Sequence, residues 1–349
     1  MSTSTRARRA SRAAPFALAL AVAAVLPAGA DPTAPASAPG QRGAALGLYS
    51  EDPNWSYVDM LDEMKAAGVS HVAIVWPWYM KTDHDPEIYK HPRYTVPERT
   101  VTRTIADARA RGMEIMLFPI LRMEDQSTGG WRGTLHPADP DRFWSNYQRL
   151  MLRLATMAER LAIPLLAVGS EMASLEAEDA RWRSLIAAVR GVYRGKLVYS
   201  ANWDHYFAVP FFDALDYAGV TGYFELVPRG AEPTVEELVH GWREHYVRLM
   251  RFEHKVKRPL ILTEVGYLSQ KGTASWPWKE AADEPIDLEI QRRCYEAFRR
   301  VWAFEPRLAG SYFWNWFGWG GPTSKEYTPR NKPAMREVAA WYVGSASTR

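Results

Sequence analysis

The stretch PLILTEVGY, residues 259–267, has the composition of a buried barrel strand, but it ends in a carboxylate, Glu264, and then in Gly-Tyr. A second stretch of the same design, PLLAVGSEM at residues 164–172, ends in Glu171. Moving a carboxylate out of water has a high desolvation cost, so an acid in this position usually has a partner or a chemical role. The two stretches therefore need a common explanation.

Eight strand-like segments follow one another along the chain, and most are continuous apolar runs, as expected of parallel strands buried on both faces. They are residues 44–50, 70–78, 113–121, 164–171, 196–203, 217–224, 259–267 and 308–316. Helix-like stretches separate them, except that the fifth connection holds only about one turn. This alternation predicts a single (β/α)8 TIM barrel. A doubly wound sheet is the competing fold, but no glycine-rich phosphate loop follows any strand.

The N-terminal region predicts export. Residues 1–30 contain four arginines, an apolar stretch and a small-x-small cleavage site, which together indicate a secretory signal peptide. A Pro/Ala/Ser-rich linker is expected over 31–43, and the barrel over 44–345. We expect a secreted or periplasmic protein with no stable membrane insertion after cleavage; an uncleaved N-terminal anchor is the alternative.

Charge and metal-ligand spacing exclude several classes of function. Removal of the predicted signal leaves 39 basic and 40 acidic residues, a net charge of −1, so nothing predicts a nucleic-acid partner. The single cysteine, Cys294, excludes an intrachain disulfide. No Cys/His group has zinc spacing, and neither a metal site nor a cofactor is predicted. We expect a monomer.

The carboxylate pair points to a reaction class. In (β/α)8 barrels the chemistry lies at the carboxyl ends of the strands, so Glu171 and Glu264 should project into one cavity. Two carboxylates across a sugar-sized gap are what glycoside hydrolysis requires: one acts as nucleophile and the other as acid/base, or water attacks directly. The alternative is that each glutamate belongs to a structural ion pair.

Several motifs carry a resemblance to a known group. The stretches YKHPRYTVPERT, GGWRG, VGSEM, YSANWD, YAGVTGYFEL, LTEVGYLS, YFWNW and NKPA span residues 45–343. Together they resemble the retaining glycoside hydrolases of clan A, and within them glycoside hydrolase family 113, the β-mannanases. The resemblance implies that Glu171 is the general acid/base and Glu264 the nucleophile.

One position departs from the clan pattern. Many clan members have an asparagine immediately before the acid/base, where it binds the sugar 2-hydroxyl, but here that position is Ser170. Asn202, which follows the fifth strand, is the alternative donor. We expect Tyr223, at the end of the sixth strand, to hold and orient Glu264 through its hydroxyl.

Aromatic residues near strand ends are the other binding candidates, because flat rings stack on sugar faces. The predicted substrate-binding set is Trp76, Trp78, Asn202, Trp203, Tyr223, Tyr267, Trp276 and Trp314. Trp314 is the preferred platform at the cleaved sugar, and each aromatic residue has core packing as its alternative. Arg132 is predicted either to contact substrate or to pin its loop. Trp55 is expected to pack on a helix.

The sequence therefore predicts a secreted retaining β-glycanase, most simply an endo-β-1,4-mannanase acting on β-linked polysaccharide or oligosaccharide without a cofactor. Three rivals remain open at this stage. Another β-glycosidase specificity is compatible with the same two carboxylates. A catalytically silent glycan-binding barrel and a structural cell-envelope protein are the rivals from other classes.

Overall fold

The computed structural model describes residues 40–127, 129–281, 283–303 and 305–343. The predicted signal peptide, residues 1–30, lies outside the described residues, as does the predicted linker up to residue 39. None of the helices in the described residues combines the length and apolar character that a membrane crossing requires.

Eight parallel strands form a closed barrel in chain order, which confirms the predicted fold. They are β1 (Gln41–Gly47), β2 (His71–Met80), β3 (Glu114–Met123), β4 (Leu165–Ser170), β5 (Lys196–Ala201), β6 (Tyr217–Thr221), β7 (Leu260–Val265) and β8 (Leu308–Trp316). The ring closes because β1 pairs with β8 as well as with β2.

Helices follow all but one of the strands. They are α1 (Val58–Ala66), α2 (Glu98–Ala110), α3 (Pro140–Arg160), α4 (Asp179–Arg190), α5 (Val235–Val256), α6 (Leu288–Trp302) and α7 (Ala334–Tyr342). Between β5 and β6 the chain makes only two short 3-10 turns, Tyr206–Ala208 and Phe212–Ala214, as the short fifth connection predicts. Side-chain caps begin several of the helices; Asp139, for example, accepts a hydrogen bond from the backbone of Arg142 at 3.0 Å.

The barrel begins three residues earlier than the sequence predicts. Gln41, Arg42 and Gly43 were assigned to the linker, but they belong to β1 and pair with β8. Their pairing covers the edge of β8 that would otherwise stay open. A Cβ atom at Gly43 would lie 2.3 Å from the Tyr312 ring, so the composition that resembles a linker reflects close packing instead.

Two apolar layers surround the strands. Inside the barrel, a small core contains Ala73, Val75 and Phe118. A much larger core lies between the strands and the helices and contains Ile74 and Trp76. Successive residues of a strand point to opposite faces, so both faces of each strand are buried. This explains why the strands read as unbroken apolar runs.

Candidate active site

Glu171 follows the last residue of β4 and is aimed by an unusual backbone. Its φ is +51°, in the left-handed region that non-glycine residues rarely adopt. Its amide donates a hydrogen bond to the Ser200 carbonyl at 2.7 Å, and the β4–β5 pairing is irregular between Ala167 and Ser170. Pairing irregularities of this kind re-aim side chains next to active sites. Glu171 is 4% exposed.

Glu264 lies within β7 and is 1% exposed. The Tyr223 hydroxyl donates a hydrogen bond to Glu264 Oε2 at 2.8 Å, which confirms the predicted contact. The other oxygen, Oε1, has no hydrogen-bond partner in the described residues. The two oxygens of Glu264 are therefore distinct: one is held and the other is free to react.

Burial raises the pKa of Glu264 to about 8, and the negative charge of Glu171 adds to this effect. Arg132 and the Tyr223 hydrogen bond act in the opposite direction and lower the Glu264 pKa. The Ser170 hydroxyl lies near enough to lower it as well, although its geometry falls short of a hydrogen bond and its Oγ has no partner. The raised pKa of Glu264 therefore depends on its burial first and on the neighbouring Glu171 charge second.

Arg132 forms an ion pair with Glu171: its Nη2 donates to Glu171 Oε2. It follows β3 in a short 3-10 turn, Arg132–Thr134, and its side chain is 19% exposed. The negative charges of Glu171 and Glu264 raise its own pKa although burial opposes this. Of the two roles that the sequence left open for Arg132, the structure shows contact with a carboxylate of the site.

A cavity of about 570 Å³ opens over the two glutamates. Its lining residues are Trp131, Arg132, Glu171, Asn202, Trp203, Asp204, Tyr223, Glu264, Trp278, Glu280, Trp314 and Tyr327. Both predicted catalytic residues and four of the predicted binding residues are thus brought together. For these four, which are Asn202, Trp203, Tyr223 and Trp314, substrate binding itself stays a prediction.

The structure corrects the placement of four predicted binding residues. Trp76 and Tyr267 have no exposed surface, and Trp78 is 5% exposed, so no sugar can stack on them. All three belong to the core between strands and helices. The Trp76 indole donates to the Val96 carbonyl at 3.0 Å. Trp276 lines a separate, smaller cavity, where Arg229 lies 4.2 Å from its ring centre.

Two residues that line the cavity, Trp278 and Tyr327, are not in the predicted binding set. Trp278, two residues beyond Trp276, stacks on Trp203 with ring centres 4.7 Å apart. Tyr327 packs edge-on against Tyr223 at 5.7 Å and donates to the Pro277 carbonyl at 2.7 Å. The signal for Trp278 was the sequence Trp-Pro-Trp at residues 276–278, but the sequence did not show which of the two tryptophans lies nearer to the site. Tyr327 lies after β8 with no periodic pattern around it.

One group of potential metal ligands appears that sequence spacing did not predict. One ligand atom from each of Asp83, His84 and His136 lies within 4.8 Å of the others. The Asp83 carboxylate already accepts a hydrogen bond from the Thr134 hydroxyl at 3.0 Å. His84 Nδ1 lies 2.9 Å from the same carboxylate. Asp83 and His84 are neighbours in the loop after β2, whereas His136 lies in the loop after β3, and local spacing cannot reveal that the two loops meet. None of them lines the cavity, and their hydrogen bonds fix the turn that carries Arg132.

A family model described as Glycoside Hydrolase Family 113 matches residues 47–328. The chain belongs to glycoside hydrolase family 113. This match covers all of the cavity-lining residues, so the glutamate pair lies in the family's own domain. The family 113 chain is an enzyme that hydrolyses glycosidic bonds. A sequence comparison with curated proteins finds no match.

Solved structures share the fold of this family 113 chain. A GH113 β-mannanase, AaManA from Alicyclobacillus acidocaldarius in complex with ManMIm, is 23% identical with a TM-score of 0.76, over 89% of this chain and 100% of the other. A GH113 β-1,4-mannanase complex is 22% identical with a TM-score of 0.77, over 87% and 99%. The Thermotoga maritima Cel5A complex with cellobiose is more distant, at 17% identity and a TM-score of 0.56, over 85% and 97%.

Proposed function

We propose that this glycoside hydrolase is a secreted, retaining endo-β-1,4-mannanase. The observation that carries the proposal is the buried pair Glu171 and Glu264 in one cavity, with Tyr223 holding one oxygen of Glu264. The likeness to solved GH113 β-mannanases supports mannan as the substrate. The signal-like residues 1–30 support secretion. N-terminal sequencing of the exported protein tests signal cleavage. We expect Asp31 as the first residue, and a retained Met1 would contradict cleavage.

In the first step, the unpaired oxygen Oε1 of Glu264 attacks the anomeric carbon of the sugar. The bond from that carbon to the glycosidic oxygen breaks as Glu171 transfers a proton to this oxygen. The product is a glycosyl ester on Glu264, and the leaving chain departs as an alcohol. The Tyr223 hydrogen bond keeps Oε2 fixed, so only one oxygen is aimed at the substrate.

In the second step, water attacks the same anomeric carbon from the face that the leaving group vacated. Glu171, now a carboxylate, takes a proton from this water, and the ester bond to Glu264 breaks. Two inversions give a product with retained configuration. Both glutamates then return to their starting states, so the cycle needs no cofactor.

The proton must be on Glu171 and the negative charge on Glu264 when the first step begins. Without substrate, Arg132 forms an ion pair with Glu171, while burial raises the pKa of Glu264 to about 8. The proposed mechanism therefore requires that the Arg132–Glu171 contact weaken when substrate enters, because Glu171 has to donate a proton. Arg132 then faces Glu264 alone and stabilises the nucleophile's charge.

Asn202 is the donor that we assign to the sugar 2-hydroxyl. Its Oδ1 accepts from the Trp203 amide at 3.1 Å and from the Thr221 hydroxyl at 3.3 Å, so its NH₂ group stays available for substrate. Asn202 lines the cavity, whereas Ser170 is 3% exposed and does not.

Replacing each glutamate separately tests the assignment. Glu264→Ala should lose turnover of every glycoside. Glu171→Ala should lower the rate of mannan hydrolysis by about 10²- to 10⁴-fold. The rate should fall much less on substrates with good leaving groups, because these need little protonation. Added azide should then give a β-glycosyl azide from Glu171→Ala. Glu280→Ala is the matched control, because Glu280 lines the same cavity but is exposed.

If Glu171→Ala and Glu264→Ala lose activity equally and azide rescues neither, the assignment of acid/base and nucleophile is contradicted. Product analysis on β-mannan, glucomannan, cellulose and xylan tests the sugar specificity independently. Preference for xylan or cellulose over mannan contradicts the substrate but leaves the hydrolytic mechanism in place.

A further inference from the structure

Glu176 is a buried carboxyl group to which the proposed mechanism gives no role. It follows the short 3-10 turn Ala173–Leu175, close in sequence to Glu171, and it is 3% exposed. Its Oε2 has no hydrogen-bond partner in the described residues, and burial raises the pKa of Glu176 to about 7. A carboxyl group taken out of water at this cost usually has a partner or a task.

Tyr199 connects Glu176 with the backbone beside Glu171. The Tyr199 hydroxyl donates a hydrogen bond to Glu176 Oε1 at 2.8 Å and accepts one from the Met172 amide at 2.9 Å. Tyr199, Glu176 and Met172 are all buried. A hydroxyl group rotates about its C–O bond, so the acceptor of its proton determines where its lone pairs point. Glu176 therefore fixes the proton of the Tyr199 hydroxyl, and the lone pairs are left for the Met172 amide.

The Met172 amide belongs to one of the two peptide groups that flank the Cα atom of Glu171. The other peptide group contains the Glu171 amide, which donates to the Ser200 carbonyl at 2.7 Å. The two acceptors belong to consecutive residues of β5, Tyr199 and Ser200. Because a residue has only two soft backbone dihedrals, holding both flanking peptide groups sets the direction of the Glu171 side chain.

The backbone of Glu171 needs this support, because its φ is +51°. A non-glycine residue in the left-handed region is strained and persists only where its surroundings fix it. The Tyr199 ring packs edge-on against Trp182, with ring centres 5.0 Å apart, and against Phe211 at 5.2 Å, so its hydroxyl is itself held in place. Loss of the bond to Met172 would let the Glu171 backbone relax and turn its carboxyl group away from the glycosidic oxygen.

We propose that Tyr199 and Glu176 are positioning residues for Glu171: through the Met172 amide they hold the acid/base at the angle from which it donates its proton to the glycosidic oxygen. Neither residue touches the substrate, and both act through the backbone of Glu171. This inference rests on the proposed function, because it takes Glu171 to be the acid/base. The loss of either residue should therefore slow the step that needs a proton from Glu171.

The dependence of the rate on the leaving group tests this role. We would measure kcat/KM on phenyl and 2,4-dinitrophenyl β-mannobioside for the wild type, Tyr199→Phe, Glu176→Met and Glu176→Gln. Phenol leaves well only when it is protonated, whereas dinitrophenolate needs little protonation. Tyr199→Phe and Glu176→Met should lose about 2- to 12-fold on the phenyl glycoside, the value of one hydrogen bond, and little on the dinitrophenyl glycoside. Glu176→Gln keeps an acceptor for the Tyr199 hydroxyl, so it should retain most of the activity that Glu176→Met loses.

Tyr193→Phe is the matched control for Tyr199→Phe. Tyr193 is 1% exposed, and its hydroxyl donates to the Ile163 carbonyl at 2.8 Å, just before β4 begins. This variant loses a buried hydrogen bond of the same kind at the amino end of the barrel, away from the two glutamates. Its melting temperature should fall about as far as that of Tyr199→Phe, while its ratio of kcat/KM values on the two glycosides stays at the wild-type value.

A Tyr199→Phe enzyme that keeps the wild-type ratio between the two glycosides overturns the inference and leaves the proposed function standing, whether or not it is less stable. Glu171→Ala in the same series separates the two proposals. If that variant loses no more on the phenyl than on the dinitrophenyl glycoside, Glu171 is not the acid/base and both proposals fail. If the enzyme cleaves only another aryl β-glycoside, the sugar assignment fails, and the same series on that glycoside decides the inference. An enzyme that hydrolyses no β-glycoside contradicts both proposals.

Discussion

Glu264 shows how one residue sets function against stability. In the proposed mechanism Glu264 is the nucleophile and must be ionised, yet this carboxylate is 1% exposed and burial raises its pKa to about 8. The folded protein therefore favours the protonated form that the reaction cannot use. Tyr223 and Arg132 offset this preference only in part. The free energy needed to ionise Glu264 is supplied by the rest of the fold.

The stability of Glu264→Gln should reveal this cost. The folded-state pKa of Glu264 is raised above its unfolded value, so its contribution is fully present below about pH 4.5 and is lost as pH rises toward 8. Glutamine does not titrate. The free energy of unfolding of Glu264→Gln should therefore exceed that of the wild type by on the order of 2–4 kcal/mol at pH 8, and by much less at pH 4.5. Thermal unfolding at both pH values measures the difference.

Glu114→Gln provides the control for that comparison, because Glu114 is exposed at the amino end of β3. A stability gain at Glu264 that does not change with pH would contradict the burial argument.

Arg132 should control the pH dependence of catalysis. Its positive charge lowers the pKa of Glu264, so its removal raises that pKa further. In Arg132→Met, the acidic limb of the kcat/KM profile should move to higher pH, and Arg132→Lys should move it less. Arg122→Met serves as control, because Arg122 forms no ion pair with either glutamate in the described residues. An unshifted limb with reduced kcat/KM would assign Arg132 to substrate contact alone.

For single residues, the sequence did not predict which way most side chains of a strand point. The meeting of Glu171 and Glu264 in one cavity was predictable, because a charge ending an apolar strand is a strong local signal. Trp76 and Trp78 were not, because β2 is apolar throughout and nothing in its pattern distinguishes the inner from the outer face. Arg132 was ambiguous because its partner, Glu171, is 39 positions away.

At the level of elements, strand order and helix positions were predictable, whereas the edges of elements were not. The alternation of apolar runs with helical periodicity located all eight strands. The first three residues of β1 read as linker, because their role depends on β8 at the far end of the chain. Local composition carries no information about such a distant partner.

Gly241 provides a test of packing between elements. It lies inside α5, where replacing glycine by alanine usually stabilises a helix by about 0.5–1 kcal/mol. Here, however, an added Cβ would lie 2.1 Å from the Leu226 carbonyl oxygen. The Leu226 amide is bonded to the Ala274 carbonyl at 2.8 Å, so this loop cannot easily retreat.

Gly241→Ala should therefore destabilise the protein by about 1–3 kcal/mol, the opposite sign from the helix propensity. Chemical denaturation measures the change. Arg243→Ala, at an exposed position of the same helix, should change stability by roughly 0.5 kcal/mol or less. A gain in stability for Gly241→Ala would show that the loop yields readily.

At the scale of the whole molecule, Glu171 and Glu264 lie in a cavity at the carboxyl ends of the strands of a closed barrel. The proposed endo action means cleavage within a chain rather than removal of terminal units.

Viscosity provides the test of this mode of action. Cuts within chains shorten a polymer quickly, whereas release of terminal units barely changes its length. A mannan solution should therefore lose most of its viscosity while few reducing ends have formed. A proportional, slow decline in viscosity, with mannose or mannobiose as the first product, would contradict endo action. A known amount of random acid hydrolysis gives the reference curve.

The pairing of β1 with β8 also determines when the barrel can be completed. Gln41 bonds Tyr312 from 271 positions away, and Tyr342 donates to the Gly43 carbonyl at 3.0 Å. At about 5–20 residues per second, a ribosome needs roughly 15–50 s to make the intervening chain. For that time β1 has an unpaired edge, the kind of edge that recruits other strands. The nascent chain is thus a half-open sheet until its last strand emerges, and its yield in a cell depends on keeping that edge covered.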